Sequence, residues 1–232
     1  MNNLIVIAEA GVNHNGELKK ALKLVDLAAK AKADYVKFQT YCTDDIVQKD
    51  FSCAKYQKRN SNFRNQYKML KKYELSHLDF KKIFKRCKIK KIKFLSSPFD
   101  LKRITFLKKL KVKTIKIPSG EITNIPYLSK IGSLNLKIIL STGMSNLKEI
   151  KNAIKLLIKS GTKRSNISLL HCNTEYPVKL EQTNLKSISF LKKKFNLKTG
   201  FSDHTTGFEA SLTSIGLGAE IIEKHFTLNK SL

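Results

Sequence analysis

Short runs rich in Ile, Val, Leu and Phe alternate along the chain with segments of helical periodicity, and this alternation constrains the fold more than any other feature. Such apolar runs are typical of buried β-strands. The eight runs are residues 4–10, 35–40, 92–98, 114–119, 137–142, 167–172, 198–204 and 221–227. The helical patterns between them cover residues 17–31, 77–87, 101–110, 146–160, 184–195 and 207–218. Strand–helix alternation implies parallel strands, so we predict an α/β fold.

Eight strand–helix units close most naturally into a (β/α)8 TIM barrel. The alternative is an open doubly wound sheet, which ordinarily carries a Gly-rich phosphate loop after its first strand. Residues 11–16, GVNHNG, do not match the G-x-G-x-x-G pattern of that loop. We therefore predict one TIM-barrel domain over residues 1–232. Residues 42–74 lack clean periodicity, and we interpret them as a long insertion over one face of the barrel.

Few residues follow the eighth predicted strand, so we expect the last helix of the barrel to be missing. A strand without its covering helix leaves apolar side chains in contact with water. The outer faces of Ile222 and Phe226 are therefore expected to be exposed.

The charge of the chain limits its possible partners. It has 45 basic and 18 acidic residues, a formal net charge of +27. Nucleic acid, an anionic membrane surface or an anionic substrate would each suit such a charge. Arginine, the side chain suited to bidentate contacts with phosphates and bases, is scarce, and the lysines are scattered along the whole chain. This pattern favours a general compositional bias over specific binding to nucleic acid.

The cysteines and the hydropathy indicate a cellular compartment. The four cysteines form no C-x-x-C pair, and no apolar run approaches the length of a membrane span. No basic region or cleavage site marks a signal peptide at the N-terminus. We expect a cytoplasmic protein with free thiols and no membrane partner.

Polar side chains gather at the carboxyl ends of the predicted strands, where barrel enzymes carry their chemistry. Lys37 and Gln39 share one face of the second strand, and Lys116 lies on the equivalent face of the fourth. If that face is the barrel interior, two ammonium groups enter a closed space and require an anion. Glu9 is the structural candidate for that anion. A bound phosphate or carboxylate is the alternative, which we favour because serine hydroxyls lie nearby.

Two histidines are candidates for a metal site. His204 and His225 end the seventh and eighth strands, which are neighbours in a barrel, so their imidazoles can converge. Imidazoles with oxygen ligands suit Mn, Fe, Co or Zn, and the spacing leaves a purely structural role open as well. Asp203 and Glu223 could orient the imidazoles as acceptors. Two further histidines remain candidates: His14 and His171.

Seven motifs give the chain a resemblance to a known family. In chain order they are IAEAGVNHNG (7–16), VKFQT (36–40), KIPSGEITN (116–124), LSTGM (140–144), HCNTEYP (171–177), GFSDHT (200–205) and EKHFT (223–227). They resemble the motifs of the sialic acid synthase (N-acetylneuraminate synthase) family and occur in that family's order. Residues 42–93 are the least diagnostic part of the chain.

The resemblance implies a TIM-barrel enzyme that condenses phosphoenolpyruvate with an N-acetylmannosamine-type sugar to give a nonulosonic acid and phosphate. A 2,4-diacetamido-trideoxy hexose, giving a legionaminic- or pseudaminic-type acid, is the alternative acceptor. The resemblance also implies a divalent metal, usually Mn²⁺, bound by His204 and His225, with Glu9 and Glu121 at the reacting centre. The substrate-binding residues that we expect are Lys37, Gln39, Lys116, Ser119, Ser141, Asn173, Tyr176 and Ser202.

Members of the family continue past the eighth strand with a helix and a small C-terminal antifreeze-like domain that reaches across a homodimer. The resemblance therefore implies a truncated synthase with trace activity at most, or an inactive fragment. A basic nucleic-acid-binding protein is the remaining alternative from a different class.

Overall fold

Eight parallel strands form the centre of the structure, a computed structural model that describes residues 4–54, 58 and 62–230. Strands β1 to β8 are, in order, Ile5–Gly11, Tyr35–Thr40, Lys93–Pro98, Thr114–Ile117, Lys137–Ser141, Ile167–Cys172, Lys198–Asp203 and Ile221–His225. They are hydrogen-bonded in the order β3-β2-β1-β8-β7-β6-β5-β4. The two end strands, β3 and β4, pack against each other and nearly close the ring. The predicted TIM barrel is confirmed.

The helices lie between the strands in sequence. Helices α1 to α9 are Leu18–Lys30, Thr43–Ile46, Gln66–Tyr73, His77–Ile89, Leu101–Lys109, Ile125–Gly132, Leu147–Lys159, Lys186–Phe195 and Glu209–Gly216. Six of them correspond to the predicted helical patterns, with ends that differ by up to two residues. Helix α6 was not predicted, because it is only eight residues long and contains Pro126. Proline is compatible with a first helical turn, and the Asn124 side chain caps this turn by accepting a hydrogen bond from the Tyr127 N–H at 3.2 Å. Within the described part of the chain, no helix is both long and apolar enough to cross a membrane.

The barrel interior has two layers of different character. An apolar floor crosses the barrel and consists of Ile7, Tyr35, Leu95, Ile139, Leu170 and Ile221. Successive side chains of a strand point to opposite faces, so the next inward residue lies two positions further along each strand. These residues form a mainly polar layer above the floor: Glu9, Lys37, Ser97, Ser141, Cys172 and Glu223. Outward residues such as Val36 and Phe38 pack against the helices. The polar layer therefore faces the carboxyl end of the barrel, as the alternation predicts.

The expected exposure of Ile222 is wrong. Ile222 is only 5% exposed and packs in a cluster with Ile188, Phe201, Ala210 and Ala219. This cluster includes side chains from α8 and α9, so neighbouring helices cover the outer side of β8. Phe226 is half-buried against the main core.

The predicted insertion lies over the cavity end of the barrel, and its described residues include the helices α2 and α3. Residues 55–57 and 59–61 of this segment lie outside the described residues. The Lys71 Nζ donates to Asp44 Oδ2 at 2.8 Å, and the Thr43 N–H donates to Glu74 Oε2 at 3.0 Å. These contacts fasten α3 to α2. The pair forms one wall of the cavity described below.

Candidate active site

One cavity of about 1370 Å³ opens at the carboxyl ends of the strands. The segment 42–74 and the loops that follow the strands line it. All of the predicted site residues contribute to this lining: Glu9, Lys37, Gln39, Lys116, Ser119, Glu121, Ser141, Asn173, Tyr176, Ser202, His204 and His225. The structure therefore brings the predicted set together, while the role of each residue remains a prediction.

Four buried charges form a connected cluster at the bottom of the cavity. The Lys37 Nζ lies 3.1 Å from Glu9 Oε1 and 3.4 Å from Glu223 Oε1. The Lys116 Nζ donates to the same Glu223 oxygen at 3.0 Å. Each of the four residues is 5% exposed or less. Both lysines therefore have carboxylate partners within the protein, and Glu223 is the shared partner.

The prediction that Glu223 accepts a hydrogen bond from an imidazole is wrong. Strand β8 points Glu223 into the barrel, because it pairs in register with Ser202 on β7 and follows Ile221 of the floor by two residues. Its Oε1 accepts hydrogen bonds from Lys116 and from the Ser202 hydroxyl, the latter at 2.9 Å. The alternation of β8 contains the signal that places Glu223 on the lysine side.

The pKa values of the two carboxyl groups in the cluster are shifted in opposite directions. Burial raises the pKa of Glu9 from its ordinary 4.5 to about 7, although the Lys37 charge acts in the other direction. Burial would also raise the pKa of Glu223, but the ammonium groups of Lys116 and Lys37 outweigh it and hold this pKa well below its usual range. When Glu9 is protonated, two ammonium groups face one carboxylate. The cluster then has a net positive charge, which favours an anionic ligand.

The Glu9 pKa has a measurable consequence for stability. Between pH 4.5 and about 7 the unfolded Glu9 carboxyl has lost its proton while the folded one keeps it, so the free energy of unfolding decreases as pH rises through this window. We expect Glu9→Gln to remove this component, on the order of 2–3 kcal/mol across the window. Urea unfolding of both proteins from pH 4 to 8 measures the difference. Parallel curves for wild type and variant would contradict the assignment.

Serine hydroxyls line the same cavity as the two lysines of the cluster. Ser141 follows the floor residue of β5, and Ser119 opens a 3-10 turn at residues 119–121 directly after β4. Gly143 allows close packing here, because a Cβ at this position would lie 2.9 Å from Cys172 Sγ and 3.1 Å from Ser119 Oγ. Ammonium groups with neighbouring hydroxyl donors are the combination that binds phosphate and carboxylate oxygens.

The imidazoles of His204 and His225 lie near the mouth of the cavity, with ring centroids 6.0 Å apart. The Tyr176 ring stacks on His204 at 4.0 Å. Burial, and then the nearby His225, lower the pKa of His204 to about 4. Loss of surrounding water and the Lys37 charge lower the pKa of His225 to about 4. Both rings are therefore neutral near pH 7, the form that binds metal.

The hydrogen bonds of His204 leave one ring nitrogen available. Its Nδ1 lies 2.7 Å from the Asn173 carbonyl oxygen and so donates its hydrogen there. Its Nε2 lies 3.3 Å from Ser202 Oγ, but that hydroxyl hydrogen goes to Glu223. The Nε2 lone pair therefore remains open toward the cavity. A ring nitrogen held by a backbone carbonyl is the usual arrangement of a metal-binding histidine.

The types of donor atom present, imidazole nitrogen and carboxylate oxygen, suit a first-row divalent ion. Besides the two imidazoles, Oε2 of Glu9 and Oε2 of Glu223 are buried and have no hydrogen-bond partner among the described residues. The same residues contain no group of three or more His, Cys, Asp or Glu side chains already placed around one point. Oxygen atoms of a ligand or water would complete the coordination of an ion bound by the two imidazoles.

The other histidines and Asp203 do not belong to this set. His171 alternates with inward residues, points outward, and has its Nε2 2.6 Å from the Thr183 carbonyl oxygen. His14 accepts a hydrogen bond from the Gly16 N–H at 3.1 Å. The prediction that Asp203 accepts a hydrogen bond from an imidazole is wrong: this carboxylate lies on the opposite face of β7 from Ser202 and accepts from Thr205, Ser211 and Lys224.

The remaining predicted residues occupy the cavity wall. Glu121 is half-buried, and its Oε2 accepts a hydrogen bond from the Asn124 side chain at 2.6 Å. Asn173 donates its side-chain N–H to the Gln182 carbonyl at 2.9 Å, while its Oδ1 has no partner among the described residues. Several residues that were not predicted for the site also line the wall: Asn13, Asn15, Tyr41, Gln66, Lys72 and Tyr73. Most of them lie in loops or in the segment 42–74, where no periodicity indicated their direction.

The family model, the sequence relatives and the solved structures that resemble this chain all point to one family of enzymes. The model of the NeuB family matches residues 24–232. The N,N'-diacetyllegionaminic acid synthase of Campylobacter jejuni is 50% identical over 233 residues, which are 100% of this chain and 70% of that protein. The enzyme of the same name from Legionella pneumophila is 45% identical over 98% of this chain and 65% of its own length. The crystal structure of N-acetylneuraminic acid (sialic acid) synthetase from Leptospira borgpetersenii is similar, with a TM-score of 0.85 and 35% identity over 99% of this chain and 75% of that chain. The chain thus spans roughly two thirds of the length of these curated relatives.

Proposed function

This chain belongs to the NeuB family of sialic-acid-synthase-type enzymes, and we propose that it condenses phosphoenolpyruvate with an acetamido sugar to give a nonulosonic acid and phosphate. The observation that carries this proposal is the buried cluster of Glu9, Lys37, Lys116 and Glu223 beneath two neutral imidazoles in one cavity. The cluster offers positive charge for a small polyanion. The imidazoles lie above it, where a second substrate would enter.

Phosphoenolpyruvate would bind at the lysine end of the cavity. Its phosphate and carboxylate need cations and hydroxyl donors, which Lys37, Lys116, Ser119 and Ser141 would supply. Ser202 would add a further donor by turning its hydroxyl from Glu223 to the ligand. All of these residues line the cavity. Protonation of Glu9 would strengthen the attraction, because it leaves the cluster with a positive charge.

The sugar aldehyde would lie between this anion and the imidazoles. His204 and His225 would bind a divalent ion, for which we propose Mn²⁺, and this ion would supply Lewis acidity for the aldehyde oxygen. Tyr176, stacked on His204, forms the wall that keeps the sugar beside it. The C3 carbon of the enol then forms a bond to the aldehyde carbon. This bond formation leaves positive charge at C2 of the former phosphoenolpyruvate, and water can reach this carbon.

The second half of the reaction needs a group that takes a proton from this water. Water adds at C2, and one of its protons passes through Glu9 or Glu121 to the oxygen of the former aldehyde, which becomes a hydroxyl. The C2–O bond to phosphate then breaks, phosphate leaves with the electron pair and the second water proton, and C2 becomes a carbonyl carbon. A pKa of about 7 suits Glu9 to this exchange near neutral pH, because it can both hold and release a proton there. Lys37, 3.1 Å away, stabilises the carboxylate whenever the proton has left.

For the sugar, we propose a 2,4-diacetamido-trideoxy hexose, so that the product is a legionaminic-type acid. The two curated relatives compared above, at 50% and 45% identity, both bear that name. N-acetylmannosamine is the second candidate, and the structural likeness to the Leptospira synthetase favours it.

Phosphate release tests the proposal directly. The protein is incubated with Mn²⁺, phosphoenolpyruvate and either sugar, with Lys116→Met as the variant that lacks one cation of the anion site. We expect sugar-dependent phosphate release that is faster with the diacetamido sugar and strongly reduced in the variant. Faster release with N-acetylmannosamine would reverse the choice of sugar. Phosphate release without a sugar, or equal release by wild type and Lys116→Met, would contradict the proposed function.

A further inference from the structure

One lysine joins the two strand ends that carry the imidazoles. Lys224 immediately precedes His225, and its Nζ donates to Asp203 Oδ2 at 2.8 Å and to the Thr205 carbonyl oxygen at 3.0 Å. Asp203 and Thr205 are the residues on either side of His204. The ammonium group of Lys224 on β8 therefore contacts the residue before His204 and the residue after it.

Asp203 is itself fixed by several contacts. It is 1% exposed, and its Oδ1 accepts hydrogen bonds from the Thr205 N–H at 2.8 Å and the Thr205 hydroxyl at 2.7 Å. Its Oδ2 also accepts from the Ser211 hydroxyl of α9 at 2.5 Å. The Asp203 carboxylate thus fixes the turn that contains His204 through its hydrogen bonds to Thr205. Lys224 connects that carboxylate to β8.

The backbone ladder does not supply this connection. The register of β7 and β8 runs from Phe201↔Ile222 to Asp203↔Lys224 and ends there. His204 lies directly after β7, whereas His225 is the last residue of β8 and pairs there with Glu9 of β1. The last side-chain link before the imidazoles is therefore the ion pair of Lys224 with Asp203. Hydrogen-bonded and partly buried pairs hold their geometry better than exposed ones.

We propose that Lys224 is a positioning residue that sets the separation of the His204 and His225 imidazoles and thereby the strength of divalent-cation binding. The inference rests on the metal site of the proposed function. Lys224 acts through Asp203 and Thr205 and does not itself contact the cation.

The test compares Lys224→Met with a matched control. Lys192 pairs with Glu220 at 2.9 Å near the opposite end of β8, so Lys192→Met removes a similar ion pair far from the imidazoles. Calorimetric titration with Mn²⁺ should show affinity about tenfold or more weaker in Lys224→Met, and within about twofold of wild type in Lys192→Met. Lys224→Arg keeps a cation that can donate to both acceptors, and we expect it to recover most of the affinity. Melting temperatures of all the variants show whether each is folded.

The outcomes separate this inference from the metal site itself. Wild-type Mn²⁺ affinity in Lys224→Met, or an equal loss in Lys192→Met, would overturn the positioning role. A wild-type protein that binds no Mn²⁺ would contradict the metal site. In that case, crystal structures without metal still decide the positioning role: imidazoles that move apart or scatter in Lys224→Met support it, and centroids that stay 6.0 Å apart overturn it.

Discussion

Glu223→Ala is expected to lower the free energy of unfolding by about 3–5 kcal/mol, the usual cost of removing one partner from a buried ion pair. The substitution leaves the ammonium groups of Lys37 and Lys116 buried with only the Glu9 carboxyl for compensation, and Glu9 holds its charge weakly. It also removes the acceptor of the Ser202 hydroxyl. Urea unfolding at pH 7 measures the change.

A control at Glu220, the residue directly before β8, separates this effect from a general weakening of that strand. Glu220 pairs with Lys192 at 2.9 Å, and the lysine side chain is 42% exposed. Partly exposed pairs contribute little, so Glu220→Ala should cost less than about 1 kcal/mol. Inorganic phosphate should raise the melting temperature of Glu223→Ala more than that of wild type, because it can replace the lost carboxylate. If Glu223→Ala loses no more unfolding free energy than Glu220→Ala, then Glu223 does not compensate the charges of Lys37 and Lys116.

His204→Ala and His225→Ala are each expected to abolish measurable Mn²⁺ binding and sugar-dependent phosphate release. An ion with two protein imidazoles loses half of them in either variant, and the remaining oxygen donors bind a first-row metal weakly. Both rings lie at the cavity mouth, so the barrel should stay folded. Calorimetry with Mn²⁺ and circular dichroism measure the two properties separately.

His77→Ala is the matched control for the histidine variants. His77 begins α4 and stacks on Phe106 at 4.1 Å, away from the cavity lining. Its removal should leave Mn²⁺ affinity unchanged. Wild-type affinity in both His204→Ala and His225→Ala would refute the assignment of these two residues as ligands.

The sequence was sufficient to locate the strands, because each is a short apolar run and its inward face follows from alternation. Lys37 and Glu9 were placed in the barrel interior on that basis, and the structure has them there, 3.1 Å apart. Helix α3 was missed because it is only eight residues long, so that its apolar positions Met69, Leu70 and Tyr73 extend over little more than one turn. Helix α6 was missed because it is short and contains Pro126 in its first turn.

The errors in the site concern contacts between distant parts of the chain. Glu223 bonds to Lys116, 107 residues away, and nothing in the local sequence states which of several polar side chains it meets. The acceptor for His204 is a backbone carbonyl, which every residue possesses, so sequence alone cannot distinguish Asn173 from Asp203. The burial of Ile222 depends on how α8 and α9 settle over β8. Local patterns determine the face of a residue, and tertiary packing determines its partner.

The apolar floor makes the barrel a cup and not a tube. Ile7, Leu95 and the other floor residues fill the interior directly below the charged layer, while the cavity opens at the carboxyl ends of the strands. Substrates and products therefore reach the charged cluster through the opening of the cavity, beside the two imidazoles. Whatever enters first lies deepest and leaves last. On the proposed reaction, phosphoenolpyruvate must enter before the sugar, and the cup would impose an ordered sequence of binding through geometry alone.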